Sequence, residues 1–131
     1  MNRTILITAA AFGIIAIALG AFGAHGLKQL ISIEAQQTFE TGVRYQMYHA
    51  LMLLFVGTTT FLKDKSKTII YYLVVVGILC FSGSIYGLAT MEVTGINFKT
   101  IGFVTPIGGL FLIIAWVLMM VAFLKEKRYN S

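Results

Sequence analysis

Four long apolar runs limit what this chain can fold into. They cover roughly residues 4–24, 45–62, 68–90 and 101–124. A helix that crosses a bilayer needs about 20 mostly apolar residues. Hydrocarbon offers no water to the backbone, so each run must pair its N–H and C=O groups internally, which means a helix. Charge supports this reading. Only 11% of the 131 residues are charged, against about 25% in a soluble domain. So few charges cannot cover a water-facing surface. The sequence therefore predicts one domain over 1–131, an all-α integral membrane protein with four transmembrane helices.

The net charge of +5 does not point to nucleic acid, because the basic residues cluster at the ends of the apolar runs. That distribution encodes topology, since Lys and Arg are retained on the cytoplasmic side. Four spans put the N-terminus, the second loop and the C-terminus on one side. That side carries Arg3, Lys63, Lys65, Lys67, Lys125, Lys127 and Arg128, against Lys28, Arg44 and Lys99 on the other. Seven against three places both termini in the cytoplasm. The first run also exceeds the roughly 7–15 residues of a signal-peptide core, so it reads as a retained helix.

Between the first two runs the chain is half polar. Ile33, Gln36, Gln37, Phe39, Glu40, Val43 and Arg44 mix at helical spacing. Ser32 can cap a helix there, and Glu34 favours its first turn. The expectation is an amphipathic helix on the outer surface, leading into the second span with a bend at Gly42. The Lys63–Lys67 stretch reads as a tight turn between antiparallel neighbours. Thr105 and Pro106 read as a helix start, preceded by a short entry segment at 101–104.

On this topology four unusual segments converge on the outer half of the bundle. They supply His25; Arg44, Tyr45, Tyr48 and His49; Ser82, Ser84 and Tyr86; and Thr105. These residues form a candidate outer binding pocket, because ionisable groups at membrane depth face the bundle or a polar cavity. Glu40 and Arg44 are spaced for an i,i+4 ion pair. At 100° per residue His49 falls about 140° from Arg44, so one neighbouring helix cannot easily meet both. Tyr45, Tyr48 and Met52 share a stripe, either an interfacial anchor or a wall for an acyl or flat ligand. Gly20, Gly23, Gly83, Gly87, Gly108 and Gly109 are read as helix-packing positions, where small residues let backbones approach.

Chemistry is harder to find. His25 and His49, if level, could ligate a haem or metal, could exchange protons in a polar pocket, or could simply be hydrogen-bonded within the bundle. No Glu-x-x-His spacing is present. Cys80 stands alone, which excludes an intrachain disulfide and a cysteine metal cluster. No phosphate-binding glycine loop precedes a lysine. The spans contain no aspartate, so no Ser/His/Asp set exists within them. No cofactor, metal or nucleic acid is expected. The partners expected are membrane lipid, and either further copies of the chain or a larger membrane complex. Three functions fit: a non-catalytic assembly or lipid-interacting protein, a small oligomeric transporter or channel for an anionic or small solute, and a quinone- or haem-linked protein. The lack of a catalytic set favours the first.

The same four segments carry a resemblance. Gly20-Ala-Phe-Gly-Ala-His-Gly26, Thr41-Gly-Val-Arg-Tyr-Gln-Met-Tyr-His-Ala50, Phe81-Ser-Gly-Ser-Ile-Tyr86 and Thr105-Pro-Ile-Gly-Gly109 are similar to the hallmarks of the YgdD/YwdK family. These are small bacterial membrane proteins of unknown function with distant small transmembrane relatives in eukaryotes. The resemblance spans essentially the whole chain. It implies a multi-pass protein of the bacterial cytoplasmic membrane and brings no activity or catalytic residue.

Overall fold

The structure is a computed structural model that describes residues 1–130, with side chains described through Lys125. The side chains of Lys127 and Arg128, counted above for topology, lie outside the described residues. The described chain is helical throughout. Its long helices are α1 (Asn2–Ala24), α2 (Ile33–Thr58), α3 (Asp64–Ala89) and α5 (Val104–Asn130), with a one-turn helix α4 (Met91–Thr94) between α3 and α5. Two 3₁₀ turns, Leu27–Gln29 and Phe98–Ile101, complete the loops at the end of the bundle remote from the termini.

Among the described residues three stretches are long and apolar enough to cross a membrane: Asn2–Ala24, Asp64–Ala89 and Phe98–Lys125. The second helix, α2, is equally long but carries Glu34, Gln36, Gln37, Glu40, Arg44, Gln46 and His49. Its start obeys the sequence, with Ser32 Oγ accepting from the Ala35 N–H at 3.1 Å. Its course differs from the expectation. The amphipathic segment and the second apolar run form one unbroken helix, and Gly42 is not a bend. A Cβ at Gly42 would lie 2.7 Å from the Tyr86 ring and 3.0 Å from Ile85, so glycine there admits α3. The helix also ends at Thr58, four residues short of the expected limit at 62.

The helices pack as antiparallel neighbours. Gly23 faces Phe39, Gly20 faces Val43, and Gly57 faces Ile5 and Leu6. Thus α2 lies along the whole of α1, and from Phe39 to Gly57 it rises roughly 27 Å. That approaches the ~30 Å of a bilayer core. On its other side α2 meets α3, and α3 meets α5, where Gly77 faces Leu112 and Gly108 faces Cys80 and Phe81. The core runs through Ile5, Ala9, Leu53, Val56, Ile70, Val74, Ile78, Leu112 and Ala115. Towards the loop end a second cluster of Leu27, Ile31, Phe39 and Ala89 seats the first loop on the bundle. Large apolar side chains such as Ile14, Ile17, Leu79 and Ile113 point outward, as a lipid-facing surface requires.

Candidate functional site

Register decides depth. The antiparallel pairing that sets Gly23 against Phe39 and Gly57 against Ile5 brings His49 level with about Gly13, the middle of α1. His25 lies about twelve residues farther along α1, roughly 18 Å away along the helix axis. The two histidines are therefore not level. His25 caps the exposed end of α1 through its backbone N–H, which donates to Ala21 and Phe22. His49 is buried at 4% exposure.

The His49 ring is fully engaged. Nε2 lies 3.1 Å from the Trp116 indole N–H of α5, and Nδ1 lies 2.7 Å from the Tyr45 carbonyl. An indole only donates, so Nε2 must accept and Nδ1 must carry the proton that goes to Tyr45. This assigns the neutral Nδ1–H tautomer and leaves neither nitrogen open to a metal or haem iron. The ring also stacks near Tyr45, at 6.4 Å between centroids, and meets Trp116 edge-on at 6.0 Å. Among the described residues no group of three His, Cys, Asp or Glu side chains could hold a metal.

A second polar set lies between His49 and the loop end. Gln46 is buried and joins three helices: its Nε2 donates to the Phe12 carbonyl of α1 at 2.8 Å, and its Oε1 accepts from Tyr86 Oη of α3 at 2.7 Å. Ser82 Oγ donates to the Gly42 carbonyl at 2.7 Å, a bond that the missing side chain of Gly42 permits. Ser84 donates to the Phe81 carbonyl, so the Ser84–Thr105 contact has the Thr105 hydroxyl as donor and ties α3 to α5. Thr105 thus bonds across helices, one residue inside a helix that begins at Val104.

The expected pocket residues therefore separate into three places. Gln46, Tyr86 and Ser82 tie α1, α2 and α3 together, and Ser84 with Thr105 separately ties α3 to α5. His49 and Tyr45 form a mid-depth aromatic group with Trp116. His25 and Arg44 are exposed near the loop end, where Arg44 pairs with Glu40 at 2.6 Å, both more than half exposed. Such a pair adds little stability. The expected aromatic stripe divides too: Tyr45 and Tyr48 are 40% and 53% exposed, whereas Met52 is buried in the core. Sequence reasoning missed Gln46 and Trp116. An uncharged amide inside a spanning run is itself a signal for an interhelical bond.

The glycines divide as well. Gly23, Gly87 and Gly108 admit Phe39, Phe98 and the α3 backbone respectively, while Gly20 and Gly109 are in ordinary contact with Val43 and Phe81. Gly83 has nothing within 4 Å of its would-be Cβ, so it packs against no other part of the described chain.

Comparisons with known proteins identify the family. A family model described as "Protein of unknown function (DUF423)" matches residues 19–109. The chain is 40% identical to the UPF0382 membrane protein YwdK of Bacillus subtilis, over 94% of this chain and 98% of that protein. It is 35% identical to a UPF0382 membrane protein of Haemophilus influenzae, over 97% of this chain and 98% of that one. It is 35% identical to the UPF0382 inner membrane protein YgdD of Escherichia coli, over 97% and 94% respectively. No solved structure matches. With the family model covering most of its length and these relatives matched nearly end to end, the chain belongs to the DUF423/UPF0382 family of membrane proteins of unknown function.

Proposed function

We propose that this chain is a non-catalytic assembly protein of the bacterial cytoplasmic membrane, crossing it four times with both termini in the cytoplasm. One observation carries the reading: among the described residues no buried side-chain nitrogen or oxygen lacks a hydrogen-bond partner. Gln46, His49, Ser82 and Ser84 bond to neighbouring backbone, rings and hydroxyls, so the polar interior holds helices together. A transport path or catalytic centre needs polar groups held open for a solute or reactant.

The length over which α2 lies along α1 supports four crossings, despite the polar residues of α2. The seven-to-three split of Lys and Arg supports termini on the cytoplasmic side. Gly83, open within the chain, offers a second copy or a partner subunit a place for close helix approach. The test is the mass of the protein released from membranes in a mild detergent. Twice 14.4 kDa or a higher whole-number multiple, or one or more copies together with a partner protein, is expected. A strict monomer, or saturable solute flux in proteoliposomes that is lost in Arg44→Ala, would overturn the proposal.

A further inference from the structure

A groove of about 460 Å³ opens between the last turns of α1 and the first turns of α2. Gly20, Gly23 and Ala24 from α1 and Phe39 and Val43 from α2 make its apolar wall, and Lys28, Gln36, Glu40 and Arg44 its polar rim. The wall is kept low by glycine. A Cβ at Gly23 would lie 2.9 Å from the Phe39 ring, and one at Gly20 3.4 Å from Val43.

The rim is built to present cations. Gln36 Nε2 donates to the carbonyls of Lys28 and Ile31, at 2.9 and 3.2 Å, which fixes the loop that carries Lys28 against α2. Arg44 spends Nη2 on Glu40, and a guanidinium has five N–H donors. The rim holds two cations and one carboxylate, a net charge of +1. Depth matters equally. The groove is at the loop end of α1, where the apolar span meets water. Leu30 and Ile33, between Lys28 and Gln36 in the chain, are 56% and 73% exposed, as side chains immersed in the headgroup region would be.

Lys28 in the loop and Arg44, whose guanidinium turns one helical turn toward the loop end to reach Glu40, border an apolar slot, a combination complementary to one class of molecule. We propose that this groove seats an anionic phospholipid, its phosphate on Lys28 and Arg44 and its acyl chain along Gly20, Gly23 and Val43. The inference rests on the reading of α1 as a full membrane span. A zwitterionic lipid fits less well because its own ammonium competes for the phosphate. Inorganic phosphate shares the headgroup chemistry but has nothing to place in the slot.

The test is a titration of the purified protein in mild detergent with phosphatidylglycerol, phosphatidylcholine and inorganic phosphate, read by native mass spectrometry. Phosphatidylglycerol should bind at least tenfold more tightly than phosphatidylcholine, and inorganic phosphate should not displace it. Lys28→Gln/Arg44→Gln should weaken phosphatidylglycerol about 30-fold, as expected for two cations near an anionic lipid. Ala24→Trp leaves both cations in place and fills the slot from an exposed position, and it should also weaken binding. Equal affinity for the two lipids, wild-type binding by either variant, or displacement by inorganic phosphate would overturn the proposal. The protein's own mass in the same spectra separates the two readings: an unchanged oligomer without selective lipid removes the groove proposal and leaves the assembly reading intact.

Discussion

Gly108→Ala should be the most damaging small change to this bundle. The new Cβ would lie 2.4 Å from the Phe81 backbone nitrogen, 2.8 Å from Cys80 Cβ and 2.9 Å from the Cys80 carbonyl carbon. Two of these atoms are main chain and cannot rotate away. Ordinary contact begins near 3.4 Å, so α3 and α5 must part by about 1 Å at this level. A gap of that size forfeits a quarter to a half of each affected dispersion contact. Overpacking typically costs about 1–3 kcal/mol, and with rigid backbone on the far side about 3 kcal/mol or more is expected. Gly13→Ala is the control, because nothing lies within 4 Å of the added methyl. Helix propensity alone should then leave it neutral or up to about 1 kcal/mol more stable. The assay is unfolding from mild detergent into sodium dodecyl sulfate, followed by fluorescence of Trp116, the single tryptophan. Gly108→Ala within 1 kcal/mol of wild type would refute the reasoning.

Further outcomes follow from the polar network. Gln46→Leu and Tyr86→Phe each remove one side of the same bond. In the same unfolding assay each should cost about 1–2 kcal/mol, and the double variant should cost about 1 kcal/mol less than the sum; strict additivity would show that the bond is not formed. Nitrogen NMR of labelled protein should find His49 protonated at Nδ1, with Nε2 as the acceptor from Trp116; an Nε2–H tautomer would contradict that arrangement. His25→Ala should leave the unfolding midpoint unchanged, because only the backbone of His25 takes part in the helix cap, and a loss equal to that of His49→Ala would refute its placement.

The helices were legible because apolar run length and the requirement for internal backbone pairing leave few alternatives. The Ser32 cap was legible too, since its hydroxyl acts within three residues. What failed was the join between the Ser32 helix and the apolar run beginning at Tyr45. Hydropathy changes there but the backbone does not, and a helix continues unless proline, glycine geometry or a competing cap stops it. Starting the span at Tyr45 placed His49 one turn below the surface and level with His25. Starting the helix at Ile33 and packing Phe39 against Gly23 moves His49 to mid-depth. Gly42 was read as local punctuation, whereas it answers a distant demand from Tyr86 and Ile85. The carbonyl of Phe12 could not have been nominated by pattern, because every residue of a helix has one and only tertiary register selects which is reached.

The polarity of α2 has a physical explanation in its position. It packs along α1 and α3, and it reaches α5 through His49–Trp116 and Phe55–Phe123. It therefore has two packed neighbours and touches a third through side chains, whereas α1 and α5 turn much of their surface outward. In hydrocarbon a lipid-facing helix has no partner for an amide or imidazole, so α1 and α5 must be apolar almost all round. A helix with two packed faces can carry such groups on them wherever a neighbouring carbonyl, hydroxyl or indole is in reach. Gln46 and His49 occupy such positions. Arg44 and Glu40, both more than half exposed at the rim of the groove between α1 and α2, sit on the half of α2 nearer the loop end. Of the polar residues that lower the apolar character of α2, Gln46 and His49 are the two that its packed faces accommodate.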